Sequence, residues 1–397
     1  MIMQNKMTNL PQGWKVKTLS EISEIVTGST PSKSNLDFYG KDYPFFKPSD
    51  FEQGYFLENA GDNLSKLGFD KARQLPPKTI LVVCIGSLGK VALTRVIGSC
   101  NQQINAIIPH KNIIAEYIYY YCISSKFQSI LFSKAPQTTL AILNKTEFSK
   151  LEIIYPKDIK EQERIVRILD ESFANIDESI KILEQDLLNL DELMQSALQK
   201  AFNPLKDNAK ENYKLPQGWE WKSLEEISEN ISAGGDKPKN CTESKTAKNQ
   251  IPVYANGVNN NGLVGYTDKA TIIKPSLTIS ARGTIGFVCI RKEPYFPIVR
   301  LISLIPCENI LCLHYLYFCL NFFIAKGEGS SIPQLTIPKF KSLQIPLPPL
   351  KEQEQIAKHL DFVFEKTKAL KELYTKELKD YEELKQSLLN KAFKGEL

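Results

Sequence analysis

The feature that most constrains this chain is that it contains itself twice. Leu10-Pro11-Gln12-Gly13-Trp14 returns as Leu215-Pro216-Gln217-Gly218-Trp219, an offset of 205 residues. Lys17, Leu19, Glu21, Ile22, Ser23 and Glu24 match Lys222, Leu224, Glu226, Ile227, Ser228 and Glu229 at the same offset. At offset 197, Gly86-Ser87-Leu88-Gly89-Lys90-Val91 pairs with Gly283-Thr284-Ile285-Gly286-Phe287-Val288. Tyr120-Tyr121-Cys122 then pairs with Tyr317-Phe318-Cys319, and Pro136-Gln137 with Pro333-Gln334. At offset 191, Lys160-Glu161-Gln162-Glu163 returns as Lys351-Glu352-Gln353-Glu354, Leu169-Asp170 as Leu360-Asp361, and Lys200-Ala201-Phe202 as Lys391-Ala392-Phe393. Blocks matching in the same order are a tandem duplication, with the second copy fourteen residues shorter. A chain of 397 residues is two or three domains long, enough to bury real cores. At 42% apolar and 24% charged it is not a mostly disordered chain.

Each copy has two parts, which divides the chain into 1–155, 156–205, 206–348 and 349–397. The first part of each has short β-branched and aromatic runs, such as Thr79 to Cys84, Leu277 to Ser280 and Val299 to Ile305. Turn signals such as Ala255-Asn256-Gly257 and Asn261-Gly262 separate them. One apolar helix is predicted inside each, near 113–131 and 310–324, which makes each head an α+β domain.

The second part of each copy is a long helix. Apolar residues fall at Ile165, Leu169, Phe173, Ile176, Ile180, Leu183, Leu187, Leu190 and Met194, alternating steps of four and three after Phe173. That 3.5-residue period is a coiled-coil seam. Ile356, Leu360, Val363, Thr367, Leu370, Tyr374, Leu378, Tyr381, Leu384 and Leu388 repeat it more roughly. Pro156 and Pro348-Pro349 mark the helix starts. At about 1.5 Å per residue, Lys160 to Phe202 is roughly 65 Å long. One amphipathic helix cannot bury its own stripe. The duplicate is one partner; a different protein on each helix is the other. Because a head intervenes, the two helices are predicted to pack antiparallel, placing the heads at opposite ends about a pseudo-two-fold axis.

Charge separates the parts. Lys and Arg against Asp and Glu give +1 for residues 1–9, +4 for 10–155, −5 for 156–205, +5 for 206–348 and 0 for 349–397. The heads are the basic parts, as a nucleic-acid reader requires, though many non-binding domains carry as much. The first head offers Lys47, Ser49, Ser87, Lys90, Arg95, Gln102, Gln103 and Asn105 as DNA contacts. The second offers Asn256, Asn259, Asn260, Arg282, Arg300 and Gln334. Asn and Gln can bond an adenine edge at two points, Arg a guanine edge, and Lys and Ser suit phosphate oxygens. The competing reading of Asn259–Asn261 is a turn, which Asn tolerates at positive φ.

No catalytic constellation emerges. Gly86-Ser87-Leu88-Gly89-Lys90 lacks phosphate-loop spacing, and its copy has Phe287 in place of Lys90, so a tight strand connection is the better reading. There is no G-x-G-x-x-G, H-E-x-x-H or Asp/Asn-Pro-Pro-aromatic motif, and His110, His314 and His359 stand apart. His314, within an apolar stretch, reads as a core residue. Glu161 and Glu163 suit a helix first turn on dipole grounds. The eight cysteines form no C-x-x-C pair, so no metal is expected, and free thiols fit a cytoplasmic location. The longest apolar run, Ile310 to Ala325, is short for a membrane span.

These motifs in this order resemble the DNA specificity subunits of Type I restriction–modification systems. The resemblance rests on Leu-Pro-x-Gly-Trp at 10–14 and 215–219 and on the run Ile345 to Ile356 with its looser copy Ile154 to Ile165. The two Lys-Ala-Phe ends and Gly395-Glu396-Leu397 complete it. It implies two target-recognition domains, each reading half of an interrupted double-stranded DNA site, with the helices setting the spacer. It implies two methyltransferase subunits and two motor-nuclease subunits as partners, using S-adenosylmethionine, ATP and Mg²⁺; this chain itself would be non-catalytic and hold no cofactor. Tyr155-Pro156-Lys157-Asp158-Ile159 departs from the family's pattern, which suggests looser packing there. A stand-alone enzyme with an unrecognised site, and a coiled-coil scaffold with two protein-binding heads, remain as alternatives.

Overall fold

The computed structural model describes residues 10–135, 141–202, 215–324, 327–328 and 335–397. The chain divides into two compact units, Met1–Leu183 with Lys376–Leu397, and Glu184–Thr375. The division falls inside the long helices, so each unit holds one head and a stretch of each helix.

The two heads share one topology. In the first, a five-stranded sheet runs in the order Ser23–Thr27, Ile104–Pro109, Ile80–Val83, Val91–Thr94, Phe56–Leu57. In the second, Ser228–Ala233, Ile302–Pro306, Ser276–Ile279 and Val288–Arg291 repeat that order without the last strand. A smaller sheet follows suit: Asp62–Leu64, Tyr39–Phe46, Ser99–Cys100 in one head and Leu263–Thr267, Ile251–Tyr254, Phe296–Pro297 in the other. Its last pair is parallel in both. Ile80–Val83 is buried throughout because both its faces are covered. Ile80 and Val82 point into the core with the head helix, Leu81 and Val83 into the one with Phe46 and Cys100, following the two-residue period of a strand.

A two-stranded ribbon leads each head into its long helix. Trp14–Thr18 pairs with Glu152–Pro156, and Glu220–Ser223 with Gln344–Leu347. The repeated Pro-Gln-Gly-Trp is the turn that starts each ribbon. Trp14 N donates to Pro11 O at 3.1 Å and Trp219 N to Pro216 O at 3.0 Å. The third residue has φ +86 and +85, which is why it is glycine in both copies. Asp158 accepts from the Lys160 amide at 3.0 Å, which caps that helix start, while Ile159 beside it is exposed.

The long helices run Ile159–Phe202 and Leu350–Ala392, and within each unit they pack antiparallel. In the first unit Leu389, Ala392 and Phe393 share a core with Ile165, Leu169 and the head helix Ala115–Ile123. The Phe393 ring lies 5.4 Å from Tyr117 and 4.9 Å from Tyr121, edge-on. In the second unit fully buried Phe202 joins Leu360 and sits 5.6 Å from Tyr315, on the head helix Leu313–Phe323. Each head is thus closed by the Lys-Ala-Phe end of the other copy's helix. Lys385 pairs with Asp177 at 2.6 Å in the first unit, and Lys371 with Asp191 in the second.

The glutamine of the repeated Lys-Glu-Gln-Glu pins helix to head. Gln162 is fully buried; Ile114 N donates to its Oε1 at 2.9 Å, and its Nε2 donates to Pro156 O at 2.9 Å. Gln353 does the same with Cys312 N at 2.9 Å and Pro348 O at 2.8 Å. These bonds satisfy an orphan amide at the start of each head helix. Glu161 instead takes both ends of the Arg164 guanidinium, at 2.7 and 2.8 Å, which holds its carboxyl below the usual range.

Four expectations are corrected. The first head helix is two, Ala115–Ile123 and Ser125–Lys134, broken where the Ser124 hydroxyl accepts from Phe127 N. The Tyr-Tyr-Cys match is one residue out of register: Tyr117 and Tyr315 both donate to the ribbon, to Ile154 O and Pro346 O, an offset of 198. Val299 is not in a strand, which begins at Ile302. The first seam is buried or half-buried at every expected position, but in the second Leu370 is 39% and Leu384 44% exposed.

Phe393→Ala and Phe202→Ala should each cost about 3–5 kcal/mol, the usual price of emptying a buried phenylalanine site. Urea denaturation checks the size. Hydrogen exchange should place the loss in the first unit for Phe393→Ala and in the second for Phe202→Ala; the reverse assignment would refute the cross-closure.

Candidate nucleic-acid interface

The glycine-rich segment is a hairpin between two central strands. Gly89 N donates to Val83 O at 2.9 Å and Gly286 N to Ser280 O at 3.0 Å. All four glycines have positive φ, +81 and +91 in the first head and +70 and +82 in the second. This is the tight connection expected from the sequence. Beside it lies a second turn, residues 101–104 in one head and 298–301 in the other. A glycine lets the chain pass close to this turn: a Cβ on Gly28 would sit 2.1 Å from Asn101 O, and one on Gly234 2.6 Å from Ile298 N.

The first head's candidate cations are paired. Lys47 binds Asp62, Lys90 binds Glu52, and Arg95 Nη1 lies 3.0 Å from Glu58 Oε1 with its guanidinium 3.7 Å over the Phe56 ring. Exposed pairs of this kind are weak, so they leave these cations free to exchange partners. Ser49 and Ser87 are exposed. Gln102 is exposed and accepts from Thr30 Oγ1 at 2.5 Å. Gln103 is engaged locally, accepting from Asn101 Nδ2 at 2.9 Å and donating to Ile85 O at 3.4 Å. Asn105 is a correction: it is 2% exposed inside the sheet and accepts from Thr27 Oγ1 at 2.7 Å, so it cannot reach DNA.

In the second head Asn256 is also engaged at both ends. Its Nδ2 donates to Val299 O at 2.6 Å and its Oδ1 accepts from Ala281 N at 2.8 Å. Asn259 and Asn260 are exposed in a 3₁₀ turn, Asn259–Gly262, with φ +47 at Asn260 and +51 at Asn261, so the turn reading accounts for them. Arg282 and Arg300 line a cleft of about 520 Å³ with Asp236 and Lys237. Among the described residues, neither arginine forms an ion pair within 4.0 Å. Gln334 lies outside the described residues. The sequence reading missed Lys237 and Asp236; the Gly234-Gly235 pair just before them was the available signal.

Little else suggests chemistry. Among the described residues no group of three His, Cys, Asp or Glu could hold a metal ion. Burial pushes the Cys84 and Cys100 thiols up to about 12, far from a neutral-pH nucleophile. His314 is half-buried and not a core residue: its Nδ1 lies 2.7 Å from Asp361 Oδ2. No helix among the described residues is long and apolar enough to cross a membrane.

Residues 11–187 and 216–380 match the family described as Type I restriction modification DNA specificity domain. The chain is 38% identical over 176 residues to the Type I restriction enzyme HindI specificity subunit of Haemophilus influenzae, covering 43% of this chain and 38% of that protein. It is 24% identical over 375 residues to the Type I restriction enzyme MjaIX specificity subunit of Methanocaldococcus jannaschii, covering 86% and 84%. A solved chain from a study of complex assembly and conformational transition in the type I R-M system aligns with TM-score 0.83 at 19% identity, over 98% of this chain and all of that one. That likeness is one of fold.

Asn105→Ala should lower stability by about 1–3 kcal/mol, the cost of leaving a buried partner unsatisfied. Gln102→Ala, at an exposed position, should leave stability unchanged and weaken DNA binding alone. Urea titration and a DNA-binding assay on the same two variants separate the two effects; a destabilised Gln102→Ala would place that residue in the fold instead.

Proposed function

The chain belongs to the Type I restriction modification DNA specificity family, and from that premise we propose that it reads a two-part, interrupted site in double-stranded DNA, one half with each head. The observation that carries this reading is one sheet topology built twice in a single chain, each copy closed by the helix end of the other. The heads are residues 1–155 and 206–348, and the helices, 156–205 and 349–397, fix the number of base pairs between the halves. The chain is the non-catalytic reader of an assembly working in the cytoplasm. Two methyltransferase subunits using S-adenosylmethionine, and two motor-nuclease subunits using ATP and Mg²⁺, supply the chemistry.

Physically, a reader of this kind needs two surfaces held at a fixed distance and rotational phase, which rigid helices provide. Exposed apolar residues on the helices, among them Leu188, Leu193, Phe362 and Leu373, give partner subunits a surface to cover.

The test is the pattern of adenine methylation when the chain is expressed with its methyltransferase partner in a methylation-free host. An interrupted two-part motif that disappears when the chain is omitted supports the reading; no motif from an active methyltransferase overturns it. Removing a matched seven residues from both helices shortens each by roughly 10 Å, about three base pairs of duplex. The spacer should shorten while both half-sites stay the same. Altered half-sites would reject the ruler.

A further inference from the structure

The two heads differ in chemistry at one shared turn, and that turn carries an anomaly in the second head. In both it lies between the short parallel strand and the central strand and closes the same way: Ile104 N donates to Asn101 O at 3.2 Å, and Leu301 N to Ile298 O at 3.1 Å. The middle residues are Gln102-Gln103 in one head and Val299-Arg300 in the other. Val299 and Arg300 have φ +53 and +58. That is the mirror-image turn, which suits Gly and Asn and which a β-branched residue resists. Neither Gln102 nor Gln103 is in that region. Such strain persists only where the surroundings over-determine it.

Here the surroundings do. In the first head Gln103 O accepts from Cys84 N at 2.7 Å. In the second, the matching amide of Ala281 has no such carbonyl and donates instead to Asn256 Oδ1 at 2.8 Å, while Asn256 Nδ2 donates to Val299 O at 2.6 Å. Val299 N and Arg300 N donate to Gly235 O and Gly234 O, each at 2.8 Å. One asparagine therefore ties the loop that bears Arg282 to the turn that bears Arg300. Arg300 is exposed, with no carboxylate partner among the described residues, in the cleft it shares with Arg282 and Lys237.

We propose that this inverted turn is the guanine-reading element of the second head, with Arg300 the base-contacting residue and Asn256 a positioning residue that keeps the turn inverted. The proposal rests on the DNA-reading function above. A guanidinium fork matches the two acceptors of guanine in the major groove. Gln102, at the same turn of the first head, offers the amide that suits adenine. A change of side chains and of turn hand at one turn, with Gln102 opposite Val299 and Gln103 opposite Arg300, lets two copies of one fold read two different half-sites.

The full chain with its methyltransferase partner, expressed in a host without adenine methylation and read at base resolution, tests this. Arg300→Ala should abolish discrimination at one guanine position in one half-site and leave the other half-site intact, with methylation of the original site falling about tenfold or more. Arg300→Lys should lose the same position, since it keeps charge but not the fork. Asn256→Ala should weaken discrimination at that same position without any contact of its own. Adding Val299→Gly to Asn256→Ala should restore it, because glycine adopts positive φ freely; a merely structural asparagine would not be rescued this way. If Arg300→Ala leaves every motif position unchanged, or lowers methylation evenly with the motif intact as a phosphate contact would, the guanine assignment is overturned. Failure of Val299→Gly to rescue overturns the positioning role. A wild-type chain that yields no motif at all overturns the underlying function instead. Circular dichroism of each variant confirms that it is folded.

Discussion

The structure depends on an exchange of closing groups. Each head has an aromatic-lined gap beside its helix, and the phenylalanine that fills it belongs to the other copy: Phe393 for the first head, Phe202 for the second. Phe393 lies far along the chain from the first head, whereas Phe202 lies just ahead of the second. A fully buried phenylalanine carries one of the larger single contributions available to a domain of this size. Placing it at a helix end therefore couples head stability to helix pairing. The antiparallel arrangement follows, because only that direction brings residue 393 to the start of the first long helix and residue 202 to the start of the second.

Around that exchange the polar groups are arranged as joints. Gln162 and Gln353 sit in apolar surroundings with both amide ends satisfied by backbone. Tyr117 and Tyr315 each add a bond from the head helix to the ribbon. Arg164, oriented by Glu161, donates to Leu397 O at 3.0 Å, and Gly395 turns the chain against Pro11 and Trp14. The repeated sequence motifs thus meet one another in space. The Leu-Pro-Gln-Gly-Trp turn, the Lys-Glu-Gln-Glu start and the Lys-Ala-Phe end are neighbouring parts of one joint in the first unit.

This explains what the sequence made legible and what it hid. Duplication, the α+β heads and the antiparallel helices all follow from long periodic or repeated signals that tertiary contacts do not override. The joint residues were visible as repeats, but their roles were not. Glutamates drew attention as charged groups at a helix start, whereas the buried glutamine between them makes the connection. Asn105 and Asn256 show the limit for the DNA surface. The donor and acceptor that suit a base edge suit a backbone amide and carbonyl equally well, and only the fold decides which they meet. Val299 was hidden for another reason: a β-branched residue ahead of an apolar run has every local mark of a strand, and the left-handed turn it occupies is imposed by Asn256 and the paired glycines.

The exchange of closing rings also has a consequence in time. A ribosome delivers the chain from one end, so the first head is made first yet lacks its closing ring until Phe393 emerges. Roughly 210 residues separate Leu183 from Phe393; at about 5–20 residues per second that is roughly 10–40 s during which the gap beside Tyr117 and Tyr121 stands open. The second head meets the opposite schedule, since Phe202 is synthesised before the domain it completes. Two near-identical folds in one polypeptide therefore mature in inverted order, and the older one is the more exposed to chaperones and to aggregation while the younger one is being built.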